Sequence, residues 1–283
     1  MTGRNEIQEM ARTFLGAVQQ APQVGSYKIL PSSSLQIYSD ARSRLGEDCA
    51  ADLLRCALTL GARGALSSKS LQELPPRVRR HHETSLIRIA DNQPGTNDWL
   101  TPESDLFQKE LGLVSFRLLS FGQRVGELGQ GIPRRTLWVA GLSNAPRRFL
   151  LILRLGGFRP YIQTHLHDFE LGKMDNEAGR TEMYLCGAEL LERYPELLGT
   201  IGSSWLEDPA LEQVSPRLFN RQPREGGAVF LYNGTDSQTT NNALFRSETR
   251  RALYQQGRYQ PKNYMVIWPR EQQIDWARRR KNP

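Results

Sequence analysis

The apolar positions of the N-terminal region fall at helical spacing. Ile7, Met10, Ala11, Phe14, Leu15 and Val18 form one stripe at i, i+3, i+4 and i+7, which predicts a helix closed by Pro22. Ser32–Ser34 supply caps for a second helix over Leu35–Leu45, ended by Gly46. Asp48 opens a third, with Ala51, Leu54 and Leu58 on one face and Gly61 after its end. The periodicity then breaks between Ser67 and Thr101. Pro75–Pro76, the run Arg77-Val78-Arg79-Arg80, His81–His82 and the polar stretch 91–98 read as loop around one short strand, Ser85–Ala90. This segment is the expected domain boundary or a lid.

Farther along, the pattern alternates. Pro102 starts a short helix to Leu111, and Leu113–Phe121 and Thr136–Leu142 read as strands flanking a glycine-rich, basic stretch over 122–135. Asn144 and Pro146 open a helix that runs to Leu155 and stops at Gly156–Gly157. The strands Arg159–His165, Leu197–Ile201, Ala228–Tyr232 and Tyr264–Trp268 then alternate with helices Arg180–Tyr194, Pro209–Val214, Thr239–Gln256 and Gln272–Arg280. Such alternation predicts an α/β fold. A mainly helical region over 1–100, with its loop at 67–101, precedes a mixed-sheet α/β module over 102–283 that is expected to carry the site.

The 283 residues include 24 Gly and 16 Pro at 39% hydrophobic content, an ordinary globular composition that excludes disordered and collagen-like classes. No apolar run approaches the roughly 18 residues of a membrane span, and the amphipathic N-terminus lacks a signal peptide's apolar core. Three cysteines, Cys49, Cys56 and Cys186, make no zinc spacing; Cys49 and Cys56 lie two helical turns apart and read as core thiols. A cytoplasmic protein with no membrane partner is expected. The net charge of +7 gathers in Arg77–Arg80, Arg134–Arg135, Arg147–Arg148, Arg250–Arg251 and Arg278–Lys281. A solvated face is the simplest reading of such runs, and an anionic small-molecule ligand comes next. Nucleic acid is not expected, because no basic surface interleaved with aromatics is visible, although it stays open. Oligomeric state is not readable.

The segment richest in chemistry is Thr164-His165-Leu166-His167-Asp168-Phe169-Glu170, at a strand end. Histidines at i and i+2 in extended chain share a face, and an imidazole titrating near pH 6.5 suits general-base work. His165 and His167 are therefore candidate bases. Alternatively, His165, His167 and Asp168 or Glu170 hold a divalent metal. Known metal patterns beginning with H-x-H are incomplete here: Phe169 stands where metallo-β-lactamases need aspartate, and no histidine follows His167 as cupins require. A second cluster, Gly202-Ser203-Ser204-Trp205-Leu206-Glu207-Asp208-Pro209, follows another strand, where open α/β sheets place ligands. It offers Ser203, Ser204 and Trp205 to a substrate, while Asp208-Pro209 reads as a helix cap.

The third cluster is Thr249-Arg250-Arg251-Ala252-Leu253-Tyr254, followed by Gly257-Arg258-Tyr259 and the strand Tyr264–Trp268. Arg250 and Arg251 point away from the core face and are available to an anion. The pattern A-L-Y-x-x-G-x-Y before a strand resembles the end of the GNAT acyltransferase fold. That resemblance implies acyl-CoA (acetyl-CoA or another) as donor and Tyr254 as the acid that protonates the departing thiolate. The pyrophosphate-cradling pattern [QR]-x-x-G-x-[GA] is absent; the nearest approach is Gly126, Gly129 and Gly131, ahead of a strand. Taken together, the last 130 or so residues resemble a family of bacterial proteins without assigned activity, which implies a bacterial origin and one cohesive C-terminal module. The resulting expectation is an enzyme acting on a small polar or anionic substrate, most concretely a CoA-dependent acyltransferase. The alternatives are a metal-dependent enzyme and a non-catalytic binding or regulatory protein with a basic surface.

Overall fold

A computed structural model describes residues 2–21, 26–91, 97–167, 177–218, 226–245 and 247–281. Its helices are α1 (Thr2–Gln20), α2 (Ser32–Leu45), α3 (Glu47–Leu66), α4 (Lys69–Gln72), α5 (Pro76–Asp91), α6 (Asp105–Val114), α7 (Ala145–Arg154), α8 (Glu177–Arg193), α9 (Leu211–Val214), α10 (Ser237–Leu244), α11 (Glu248–Gln255) and α12 (Arg270–Lys281). The strands are β1 (Leu119–Ser120), β2 (Arg124–Gln130), β3 (Tyr161–Leu166), β4 (Gly199–Ser204), β5 (Val229–Tyr232) and β6 (Tyr264–Pro269), in the order β1-β2-β3-β4-β6-β5. The fold is α/β with a mixed sheet: β3 and β4 are parallel, and β6 is antiparallel to both β4 and β5. The chain forms two compact units, one of residues 1–127 and 165–186, the other of 128–164 and 187–283. The divisions fall inside β2, β3 and α8.

In the first unit α3 is the central helix, packed by α1, α2, α5 and α6. Its buried positions, from Ala50 through Leu53, Leu54, Leu58 and Gly61 to Ala65, are mostly small or aliphatic, so neighbouring helices approach closely. An added Cβ at Gly61 would meet Val114 at 2.9 Å, which explains why glycine sits inside this helix rather than after it. The expected loop over 67–101 is corrected by α5, and the strand at Ser85–Ala90 is part of that helix. Its buried stripe is Val78, His82, Ser85, Leu86 and Ile89, a helical repeat in which two polar members hide the period. Pro76 is its first residue, so the Pro-Pro pair opens a helix instead of marking a loop.

The second unit packs Ile132, Ile152, Tyr161, Ile201, Leu231, Met265 and Ile267 into one core. Alternate residues of β6 serve both faces: Met265 and Ile267 enter this core, while Trp268 packs edge-on against Trp276 of α12 with ring centroids 5.1 Å apart. The Trp268 indole donates to the Gly226 carbonyl at 2.8 Å. Thr200 donates to Gln273 at 2.8 Å, fastening α12 to β4. Three local expectations are corrected. The glycine-rich stretch contains β2. Thr136–Leu142 is no strand: Pro133 opens a tight turn over Arg134–Leu137, and Arg148 of α7 donates to the Thr136 carbonyl at 2.6 Å. Thr239–Gln256 is two helices, because the Ser247 hydroxyl caps α11 by accepting from Arg250 N at 3.2 Å.

Candidate active site

All four histidines of the chain belong to the first unit. β3 ends by presenting His165, whose Nε2 lies 3.3 Å from Glu127 Oε2 on β2. The other oxygen of Glu127 accepts the Tyr27 backbone N–H at 2.6 Å, and the Tyr27 ring meets the His165 imidazole nearly edge-on with centroids 5.0 Å apart. A carboxylate only accepts, so Nε2 carries the proton and Nδ1 the lone pair. Nδ1 has no hydrogen-bond partner among the described residues, and the side chain stays partly exposed. Imidazole, carboxylate and backbone anchor thus form a chain with one open basic nitrogen.

His167 is spent differently. Its Nε2 lies 2.8 Å from Glu110 Oε1 on α6, with both residues almost fully buried, and Arg88 of α5 reaches the same oxygen at 2.8 Å. A carboxylate between two nitrogen groups in a dry interior fixes β3's end against α5 and α6. Its backbone N–H donates to the Gln123 carbonyl at 3.3 Å. The expected metal reading has no third ligand beside these histidines among the described residues. Asp168 and Glu170 lie outside the described residues.

The other two histidines stand back to back on α5. His81 lies 2.9 Å from Glu182 Oε1 of α8, where Arg80 also reaches Oε1 at 2.9 Å and Arg77 binds Oε2. Burial alone would raise the Glu182 carboxyl, but the His81 hydrogen bond and the charges of Arg77 and His81 outweigh it and hold it below the usual range. Ligand atoms of His81, Glu182 and Cys186 lie within 4.8 Å of one another. The two guanidiniums already neutralise the carboxylate, and a cation there would face their repulsion. His82 is fully buried, its Nδ1 accepting Ser120 N–H at 3.2 Å and its ring tilted over Phe116.

Burial pushes His82 down to about 4, against a smaller opposing effect from the Leu113 backbone. The unfolded chain therefore binds a proton that the native state refuses between about pH 6.5 and 4. Its contribution to stability is complete above 6.5 and shrinks as the pH falls, by up to about 1.4 kcal/mol per pH unit. Urea melts at pH 7, 6 and 5 will show this slope, and His82→Gln will flatten it. Equal slopes in the two proteins would assign the loss to other groups.

The remaining expected site residues lie in the second unit, apart from the histidines in the division of the chain. The Ser203 hydroxyl donates to Asn263 at 2.7 Å and accepts from Asn233 at 2.9 Å. Ser204 caps the turn beginning at Trp205 by accepting Leu206 N–H at 3.1 Å. Asp208 accepts from the backbone of Ala210 and of Lys262, each at 3.0 Å, a structural tie across two loops. Arg250 does not point outward as expected. It is buried, donates to the Ala243 carbonyl at 2.5 Å and to Ser215 at 3.1 Å, and stacks on Trp205 at 4.9 Å. Arg251 is exposed, with its guanidinium on the Leu244 and Phe245 carbonyls at the end of α10. Tyr254 is exposed on α11.

Sequence reasoning did not find Glu127, Glu110, Arg88 or Glu182. Glu110 carried a usable signal, a carboxylate inside the apolar run of α6, whereas Glu127 sat in a glycine-rich, basic stretch to which no element was assigned. No family model matches the chain, and no curated protein matches it. Solved structures show low-identity matches. One is an acyltransferase in complex with CoA and 10C-teicoplanin, at 14% identity over 93% of this chain and 77% of that one, with a TM-score of 0.46. Another is a mutant acyltransferase in complex with octanoyl-CoA, at 13% identity over 93% and 77%, with a TM-score of 0.49.

Proposed function

We propose that this chain is an acyltransferase, moving an acyl group from a CoA thioester to an amine or hydroxyl of a small acceptor, with His165 as general base. The observation that carries the reading is the His165–Glu127 pair, with its anchored carboxylate and open Nδ1. Attack on a thioester carbonyl requires the nucleophile to lose a proton. Nδ1 takes it, and Glu127 steadies the imidazolium that results. The carbon–sulfur bond then breaks and the thiolate leaves. Acyl-CoA as donor, like Tyr254 as the acid for the departing thiolate, rests on the resemblance of the C-terminal segment.

Release of free thiol from acetyl-, octanoyl- and decanoyl-CoA, with a panel of small amines and alcohols, tests the reaction. His165→Gln is expected to lower kcat about a hundredfold or more, and Glu127→Gln about tenfold, with melting temperatures near wild type. Wild-type protein that releases no thiol above background would reject acyl transfer. A fully active His165→Gln would reject the base.

A further inference from the structure

Residues 128–164 of the second unit contain six arginines and no aspartate, glutamate or lysine, so nearly all of the chain's excess of +7 lies in this stretch. Arg148 is buried as a tie to the Thr136 carbonyl. The other five, Arg134, Arg135, Arg147, Arg154 and Arg159, are exposed, and none makes an ion pair within 4 Å among the described residues. The same stretch is unusually apolar outside. Of ten large apolar side chains exposed among the described residues, five lie here: Trp138 at 54%, Leu142 at 76%, Phe149 at 43%, Leu150 at 55% and Leu153 at 48%.

The arrangement on α7 is ordered. Ala145, Arg148 and Ile152 face the core, which turns Phe149, Leu150 and Leu153 outward together, with Arg147 and Arg154 beside them. The turn Leu142–Asn144 runs directly into α7 and leaves Leu142 exposed just before the helix start, and Arg148 holds the 134–137 turn before Trp138 against the same helix. A solvated face would not spend Phe, Trp and three Leu on water.

We propose that this face, α7 with the turn residues Trp138 and Leu142, docks on an anionic lipid surface. Its apolar side chains enter the headgroup boundary while the five arginines sit among lipid phosphates. A purely apolar partner would not explain unpaired arginines, and a nucleic acid would not explain the leucines. A Trp/Phe/Leu stretch rimmed by Arg, with no acidic residue of its own and, among the described residues, only Asp236 felt by Arg135, fits an anionic bilayer. No described helix is long and apolar enough to cross a membrane, and the proposed contact is a peripheral one that the sequence did not lead us to expect. Its residues belong to the second unit, and the proposal does not rest on the acyl-transfer reading.

Flotation of the full chain with liposomes tests it. Binding to vesicles of 30% phosphatidylglycerol in phosphatidylcholine is expected, with little on phosphatidylcholine alone and marked loss at 0.5 M salt. Leu150→Glu/Leu153→Glu and, separately, Arg147→Glu/Arg154→Glu should each weaken binding about tenfold or more. All four positions are exposed, so melting temperatures should hold, and a variant that fails to fold is replaced by the serine or glutamine pair. Absence of flotation overturns the proposal, as does equal binding to both lipids. Self-association that these variants abolish, without lipid binding, would assign the face to a second copy and also overturn it. So would tighter binding to an oligonucleotide than to the vesicles.

Discussion

Glu110→Ala is expected to cost about 3–5 kcal/mol of stability, because it removes a buried carboxylate that stands 2.8 Å from both His167 and Arg88. At about 2–4 °C per kcal/mol, the melting temperature should fall by roughly 6–20 °C. Arg88 keeps some contact with solvent, which places the loss toward the lower part of that range. Glu110→Gln keeps the shape and one acceptor and should lose less. Glu110→Leu combined with Arg88→Leu should recover part of the loss, since removing both charges abolishes the cost of desolvating them. Thermal and urea melts of the three variants measure this. A drop below about 1 kcal/mol in Glu110→Ala would mean that the Glu110 carboxylate is not what holds His167 and Arg88 in place.

The second large effect is Gly199→Ala, at the start of β4. Gly199 has φ 154°, and a Cβ there would stand 2.1 Å from the Trp268 carbonyl oxygen of the paired strand. The obstacle is backbone, so no rotamer relieves it. Either β4 slides off β6, breaking a pairing that runs from Gly199↔Pro269 to Ser204↔Tyr264, or the peptide distorts. Overpacking of about 1–3 kcal/mol together with backbone strain of about 1–3 kcal/mol gives an expected loss of about 2–6 kcal/mol. Soluble yield and melting temperature should both fall. Gly64→Ala is the control: it lies in α3 with nothing within 4 Å of its added methyl and should be neutral or stabilising by up to about 1 kcal/mol. If the two substitutions behave alike, close packing of β4 on β6 is not what requires Gly199.

Much of this architecture was legible in the sequence where side chains follow one rule at a time. α1, α3, α8 and the strands β3 to β6 were read from runs of apolar residues that are buried in the fold. α5 was lost because His82 and Ser85 occupy core positions, where both hydrogen-bond to Ser120, a partner that no local pattern reveals. β2 was lost because Gly126 and Gly129 look like loop residues. The histidines at 165 and 167 were found by spacing alone. Their division of labour was hidden, since it depends on Glu127, 38 residues before His165, and on Glu110 in another helix. Arg250 looked exposed by helical phase, and only the fold shows that Trp205 and Ser215 cover it.

The place of β6 has a consequence for how the polypeptide comes into being. It follows β4 and β5 in sequence, yet it lies between them and is hydrogen-bonded to both. On the ribosome, β4 and β5 therefore emerge without the partner each requires on that side, and no pairing of sequence neighbours closes the gap. Until residues 264–269 have left the exit tunnel, the nascent chain carries two open strand edges, which are the features chaperones shield and aggregates recruit. Completion of this part of the sheet therefore waits for β6 instead of following the order in which β4 and β5 appear.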